Sequence, residues 1–366
     1  MQIYMPTNVY SENNCVMNHK KELAALGNKA LLVTGKHSSQ ANGSLADVKQ
    51  ALQEEGISYV VFDKIEENPS IETVMQAREL GVNENVDFVV GIGGGSPMDA
   101  AKAIALMVAN PKEDESILYE AREFQALPVA EVPTTAGTGS EATPYAILTI
   151  HARRTKQSIS YRIYPALALL DSKYLKTESI DTLVNTTVDA LAHLIESYLN
   201  TNANSYNRMY SEKGLRLFAE MKDDLLQCRR FGGEPRQTLS DEVFDKLMQM
   251  SATAGMAITH TSTSLPHGLS YAVTYELGVP HGKAVGIFLP GFLTFYQEKE
   301  DVRAVLRQMC FASVDDFTEY MDELLGKVEI SDDLWKKDVE MIMGNQAKLK
   351  NYPFTMDEET LYKFRR

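Results

Sequence analysis

The 366-residue chain predicts an α/β half built on a mostly parallel sheet, followed by an all-α half. Three observations carry this expectation. Short apolar, β-branched runs alternate with helical stretches through the first part of the chain, the β-rich pattern stops after Asp171, and from Thr177 onward the segments are long with apolar residues at helical spacing.

Strand-like runs fall at residues 29–34, 58–62, 87–91 and 128–132, and helical stretches at 43–55, 71–80 and 97–109 separate them. That rhythm gives crossover units and a Rossmann-like sheet wrapped by helices. Residues 145–150 and 157–161 are short and flank the charged Arg153-Arg-Thr-Lys156, which suits a hairpin, and 167–170 reads as a last buried strand. Helices are expected over 183–199, 205–226, 240–259 and 302–309, with Phe231-Gly-Gly-Glu-Pro235 as an internal loop. The expected domains are 1–175 and 176–366, each with enough of the 44% hydrophobic content to form a core.

The net charge of -14 argues against nucleic acid or an anionic membrane as partner. Cys15, Cys228 and Cys310 are odd in number and in no C-x-x-C spacing, which argues against disulfides and thiolate metal sites and favours the reducing cytoplasm. No basic segment followed by an apolar run marks export, and no stretch approaches the length of a membrane span.

The helical half carries a candidate metal site. In Asn185-Thr-Thr-Val-Asp-Ala-Leu-Ala-His-Leu-Ile-Glu-Ser-Tyr-Leu199, Val188, Leu191, Ala192, Ile195 and Leu199 recur at helical spacing and predict burial. Asp189 and His193 are one turn apart on one face, so a carboxylate and an imidazole can direct lone pairs at one cation, offsetting the cost of a buried charge. His267 and His281 each sit in a Pro-His-Gly setting, in a chain with only seven histidines. Three imidazoles and one carboxylate, with no thiolate, suit Fe(II) or Zn(II) better than calcium or magnesium.

The α/β half carries a candidate phosphate site. An apolar strand from Val86 runs into Gly93, Gly94 and Gly95 and then a helix, with Ser96 expected as N-cap, Pro97 as first helical residue and Asp99 completing a variant capping box. The glycines let backbone N–H groups approach an anion at the positive helix end, although Ser96 stands where the common Gly-x-Gly-x-x-Gly fingerprint has its last glycine. Downstream, Leu127-Pro-Val-Ala-Glu-Val-Pro-Thr-Thr-Ala-Gly-Thr-Gly-Ser-Glu-Ala-Thr-Pro-Tyr145 ends a short strand in hydroxyls, of which Thr134, Thr135, Thr138 and Ser140 can donate to phosphate or ribose oxygens.

Gly93-Gly-Gly-Ser-Pro-Met-Asp-Ala-Ala-Lys102, Pro133-Thr-Thr-Ala-Gly-Thr-Gly-Ser-Glu141, Val188-Asp-Ala-Leu-Ala-His193 and Pro280-His-Gly-Lys283 together resemble the iron-containing (group III) alcohol dehydrogenases, in the branch with NADPH-dependent butanol dehydrogenases. The resemblance covers essentially the whole chain and implies a dehydroquinate synthase-like architecture. It implies metal ligation by Asp189, His193, His267 and His281, with Fe(II) expected and Zn(II) as the alternative. It further implies pyrophosphate binding at Gly93, Gly94, Gly95 and Ser96, and a cofactor cleft lined by Asp99, Thr134, Thr135, Thr138, Tyr145 and Lys156. Residues 1–175 become the dinucleotide-binding domain and 176–366 the metal-binding domain, with the active site expected in the cleft between them. A homodimer or larger is also implied.

Two positions depart from the family pattern. Many members carry a histidine four residues after the third ligand, where this chain has Tyr271, a candidate hydrogen-bonding or pocket-lining group. Many NAD-using members end the first strand in aspartate, where this chain has Gly35. An aspartate there would repel a 2′-phosphate, whereas Gly35, Lys36, Ser38 and Ser39 offer space, charge and donors, so NADP(H) is expected over NAD(H). The implied reaction is reversible hydride transfer between NAD(P)H and an aldehyde or primary alcohol, with the metal as Lewis acid. Glycerol- or propanediol-type polyol oxidation is the near alternative. A dehydroquinate synthase-like lyase is the distant one, because residues 265–289 offer only Lys283 as a basic residue besides histidines.

Overall fold

The computed structural model describes residues 3–120, 122–153 and 155–365. The chain divides into two compact units, one formed by Tyr4–Thr135 with Gly139–Thr177, the other by Ala136–Thr138 with the chain from Glu178 onward.

The first unit is built on six parallel strands, β1 (Asn8–Ser11), β2 (Lys29–Gly35), β3 (Ser58–Ile65), β4 (Phe88–Gly93), β5 (Val129–Pro133) and β8 (Leu167–Leu170), in the order β1-β8-β5-β4-β2-β3. Helices α1 (Ser44–Glu54), α2 (Ile71–Asn83) and α3 (Gly95–Ala109) cross between them. The strands are apolar on both faces because helices cover both. Leu31, Val33, Val89 and Val129 pack with α2 and α3 residues such as Ala77 and Ile104, while Ala30, Leu32, Val90, Val132 and Leu169 pack with Val48 and Leu52 of α1. Each fully buried Leu, Val or Ile contributes roughly 1.5–3 kcal/mol.

From β2 the chain builds outward to β3 and then returns to β4 on the other side, so β2 and β4 meet where the direction of winding reverses. At such a point the loops at the carboxyl ends of the strands diverge and leave a crevice for a ligand. Thr34 pairs with Ile92 and Gly93 with Pro133, which brings the Gly35, Gly93 and Thr134 loops to one edge of the sheet.

Two expectations change. The edge strand β1 pairs with β8 and went unpredicted, and the hairpin's second strand is β7 (Thr155–Ser158), paired antiparallel with β6 (Ile147–Ile150). Lys156 therefore lies on a strand, opposite Thr149, and not in the turn.

The second unit is helical, with α4 (Ile180–Tyr198), α5 (Ser205–Phe231), α6 (Asp241–Thr261), α7 (Leu265–Leu277), α8 (His281–Gly286) and, further on, α9 (Asp332–Met343). Side-chain caps begin the three long helices: Ser179 accepts from the Thr182 N–H, Asn204 from those of Tyr206 and Asn207, and Ser240 from that of Val243. On α9, Asp338 is fully buried and, among the described residues, neither carboxylate oxygen has a hydrogen-bond partner. Burial pushes its carboxyl from 3.8 up to about 8. The folded chain therefore holds a proton that the unfolded chain releases, and stability from this group falls as pH rises between those two values. Asp338→Asn removes the titration at nearly constant shape. The variant should gain on the order of a few kcal/mol more over the parent at pH 8 than at pH 5, read by thermal melting; the same difference at both values would exclude Asp338 as the cause.

Candidate metal centre and cofactor loops

Every residue of α4 from Thr187 to Tyr198 is buried, and Asp189, His267 and His281 present donor atoms all within 4.8 Å of one another. Asp189 Oδ1 is the hub: it lies 3.3 Å from His267 Nε2, 3.7 Å from His281 Nε2 and 3.9 Å from His193 Nε2. Ligands at about 2.1 Å on a tetrahedral ion are separated by ~3.4 Å, so the compact set that could hold one divalent ion is Asp189, His267 and His281, while His193, 3.9 Å from Asp189 Oδ1, stands outside that set. His193 stacks on His267 with ring centroids 4.5 Å apart, and His267 meets His281 edge-on at 5.5 Å.

A residue that sequence reasoning passes over completes the arrangement. Glu196 is fully buried one helical turn beyond His193; it accepts from the His267 N–H at 2.9 Å and the Ser264 N–H, and its Oε1 lies 3.0 Å from His267 Nδ1. The carboxylate fixes Nδ1 as the protonated nitrogen and leaves Nε2 as the ligand atom. A Glu at that spacing in an otherwise apolar helix was the available signal.

Burial would raise the Asp189 carboxyl, but His193, His267 and His281 hold it far below its ordinary range. Burial pushes the His193 ring down to about 4. It also disfavours a charged His267, yet Glu196 and Asp189 outweigh that and push the ring up to about 10. A cation at the centre would take the place of the His267 Nε2 proton.

Tyr271 lies one turn from His267, its ring nearly parallel to that of His281 at an interplanar angle of 6° and 6.2 Å between centroids. Lys348 Nζ sits 5.5 Å from the Tyr271 ring centroid.

In the α/β unit, Gly93 has φ +148°, and a Cβ there would lie 2.7 Å from Pro97 Cγ. A Cβ on Gly94 would press on Thr135 at 3.1 Å. Gly93 and Gly94 thus permit the turn and the close approach of the Thr135 loop, respectively. The capping expectation is corrected: α3 starts at Gly95 with Gly94 as N-cap and no side-chain cap, because glycine lets the helix begin two residues early. Ser96 Oγ instead accepts from the Asn68 N–H at 3.1 Å, and Asp99 accepts from Ser140 Oγ at 2.6 Å and the Ile147 N–H at 2.9 Å. The uncapped first turn leaves its N–H groups available to an anion.

Lys156 Nζ donates to Asn68 Oδ1 at 2.6 Å, so Asn68 links Lys156 to Ser96. Sequence reasoning misses Asn68, whose only mark is the Asn-Pro dipeptide. Thr134 is buried and its N–H donates to the Gly93 carbonyl at 2.9 Å, while Thr135 and Thr138 are partly exposed. Tyr145 is half-buried with Arg162 5.3 Å from its ring centroid. At the end of β2, Lys36 and Ser38 are exposed, whereas Ser39 is buried with its hydroxyl bonded to that of Thr34 and is not turned outward.

Residues 6–172 match the family model for iron-containing alcohol dehydrogenase, and residues 183–349 match that for the C-terminal part of the same family. An NADPH-dependent butanol dehydrogenase of Clostridium saccharobutylicum is 26% identical over 90% of this chain and 85% of its own length. A 1,3-propanediol dehydrogenase of Citrobacter freundii is 30% identical over 72% of this chain and 67% of its own length. The crystal structure of an iron-containing alcohol dehydrogenase from Thermotoga maritima superposes with a TM-score of 0.88 at 37% identity, covering 99% of this chain and 98% of that one.

Proposed function

The chain belongs to the iron-containing alcohol dehydrogenase family, and from that premise we propose that it interconverts an aldehyde and a primary alcohol with NADP(H) as the preferred cofactor. Asp189, His193, His267 and His281 are assigned as ligands of Fe(II), with Zn(II) as the competing ion. The observation that carries this reading is the clustering of Asp189, His267 and His281 donor atoms within 4.8 Å of one another, with His193 Nε2 a further 3.9 Å from the same Asp189 oxygen.

Bound there, the ion supplies Lewis acidity to the substrate oxygen, favouring hydride addition in one direction and ionisation of the alcohol in the other. Glu196 orients His267, and the stacked rings keep the imidazoles from rotating. Residues 1–175 are assigned to the cofactor and 176–366 to the metal. In the first, the uncapped start of α3 and Ser96 receive the pyrophosphate, with Asp99, Thr134, Thr135, Thr138, Tyr145 and Lys156 around the rest of the dinucleotide. Overall the aldehyde carbon gains a hydride, its oxygen gains a proton, and NADPH becomes NADP+. Tyr271, flat against His281, lines the substrate side. The protein is taken to work as a cytoplasmic homodimer, a setting that suits three cysteines in no disulfide and a ferrous ion.

The test is NADPH oxidation with butanal by metal-stripped protein reloaded anaerobically with Fe(II), repeated with NADH. Metal-dependent turnover that favours NADPH supports the assignment. Verified metal occupancy with no turnover on butanal, but reduction of NAD(P)+ by 1,3-propanediol, favours the polyol reading, which the Citrobacter relative keeps in play.

Cofactor choice has its own test at Gly35. A Cβ there lies 3.4 Å from the Ile65 carbonyl oxygen and, among the described residues other than its chain neighbours, meets nothing else within 4 Å, so an aspartate is accommodated. Its charge would repel a 2′-phosphate and accept from a ribose hydroxyl. Gly35→Asp should lower the NADPH-to-NADH ratio of kcat/KM by about tenfold or more, equivalent to ~1.4 kcal/mol; an unchanged ratio removes this loop as the discriminator.

A further inference from the structure

A fully buried lysine, with no role in the chemistry above, sits two turns into the helix that opens at the glycine turn. Lys102 has 0% exposure, and its Nζ donates to Ser140 O at 2.7 Å, Ser140 Oγ at 2.7 Å and Tyr145 O at 2.9 Å. An ammonium has three N–H donors, and all three are used. Two carboxylates stand at ion-pair distance, Asp99 Oδ1 at 3.9 Å and Glu131 Oε1 at 3.7 Å.

The acceptors belong to one stretch of chain. Ser140 starts a three-residue 3-10 turn, Tyr145 precedes β6, and Asp99 closes the circuit by accepting from Ser140 Oγ and from the N–H of Ile147, the first residue of β6. Between Gly139, at φ +60°, and Ile147, that 3-10 turn is the sole regular structure. Apolar packing alone gives so short a stretch little to fix its backbone, whereas a buried ammonium does so with charge-assisted bonds.

Burying a lysine for stability alone is poor economy, since an apolar residue of similar volume is often as good or better. The Lys102 site is costlier still because Glu131 is also fully buried, and burial pushes its carboxyl up to about 8 despite the neighbouring ammonium. Such an arrangement specifies a shape.

We propose that Lys102 is a positioning residue for the cofactor: its buried ammonium fixes Asp99, Ser140 and the Tyr145 backbone in the arrangement that receives NADP(H). Lys102 reaches the dinucleotide only through these groups. The inference rests on the cofactor assignment made above, so the test reads binding without turnover and begins with the parent protein.

NADPH fluorescence is titrated with iron-loaded parent, Lys102→Met, and the double variant Lys102→Met/Glu131→Gln, in which the carboxylate left without its partner is neutralised. Thermal melting and metal content are measured alongside. The double variant should regain the melting temperature lost by the single one and retain its metal, yet bind NADPH about tenfold more weakly than the parent. A purely structural role predicts that recovered stability brings recovered affinity, so a double variant with parental affinity overturns the proposal. Should neither Lys102 variant fold, Lys102→Arg keeps the buried charge but displaces the three short bonds to Ser140 and Tyr145; a severalfold weaker affinity in folded, iron-loaded protein supports the proposal and parental affinity overturns it. If the parent itself fails to bind NADPH, the cofactor assignment falls first.

Discussion

His267→Ala is expected to lose the bound iron and to lower kcat/KM for the aldehyde by about a thousandfold or more. His267 occupies the middle of the centre: Nε2 lies 3.3 Å from Asp189 and Nδ1 3.0 Å from Glu196, with its ring stacked on His193. Truncation takes away one ligand and leaves two buried carboxylates facing each other without the imidazole between them. It also removes a wall against which His193 is held. The remaining three donors retain some affinity, so the variant should bind metal weakly and fail to keep it through dialysis. Glu196→Gln provides the graded comparison, because it keeps every ligand but loses the carboxylate that orients His267; metal affinity should drop about 10–100-fold. Metal content by elemental analysis after anaerobic reloading and dialysis, with turnover on the same sample, reads both. A His267→Ala protein holding one equivalent of iron with near-parental turnover would sink the ligand assignment.

The contrast between those two residues also marks how much could be read from the sequence. Asp189 and His193 were legible because helical periodicity alone puts them on one face, and His267 and His281 because the same Pro-His-Gly setting occurs twice. Glu196 was not, since its partners Ser264 and His267 lie on the next stretch of chain, roughly 70 residues on. The sheet was legible for a similar reason: strands covered on both faces read as apolar runs. β1 was hidden because Asn8–Ser11 is an edge strand only partly buried, and its partner β8 lies near residue 170. At the glycine turn, local capping rules point to Ser96, and the structure departs from them twice. Three glycines let the helix start earlier, and Asp99 is drawn toward Ser140 and Lys102 instead of the helix start. Local rules failed where a buried polar network, assembled from residues 99–147, took the side chains for itself.

Gly282→Ala should be the most damaging single-carbon change near the metal. The residue follows His281, assigned above as a ligand, in α8, and a Cβ built on it would lie 1.7 Å from the Asn185 carbonyl oxygen and 2.7 Å from its carbon. Asn185 is part of α4, one turn before Asp189, so the obstacle is helix backbone and not the far end of a flexible side chain. The clash can be relieved only by moving α8 away from α4, and α8 carries His281 while α4 carries Asp189 and His193. Gly286, one turn further along α8, already lies against Val188, with a Cβ position 2.5 Å from Val188 Cγ1, so tilting about the far end is resisted too. Overpacking of this kind costs roughly 1–3 kcal/mol or more, and a displacement of about 1 Å in a catalytic group costs about a hundredfold in rate. Gly282→Ala should therefore melt several degrees lower, by the usual conversion of about 1 kcal/mol into a few degrees, and lose most of its iron and turnover. Gly278→Ala, four residues earlier, separates the two causes. Its φ of +64° imposes strain, but among the described residues other than its chain neighbours nothing lies within 4 Å of the new carbon, so stability should fall by about 1 kcal/mol while metal content holds. If both variants lose iron alike, strain in the α7–α8 connection explains the loss; if Gly282→Ala keeps full iron and turnover, the close approach of α8 to α4 is not what sets His281 in place.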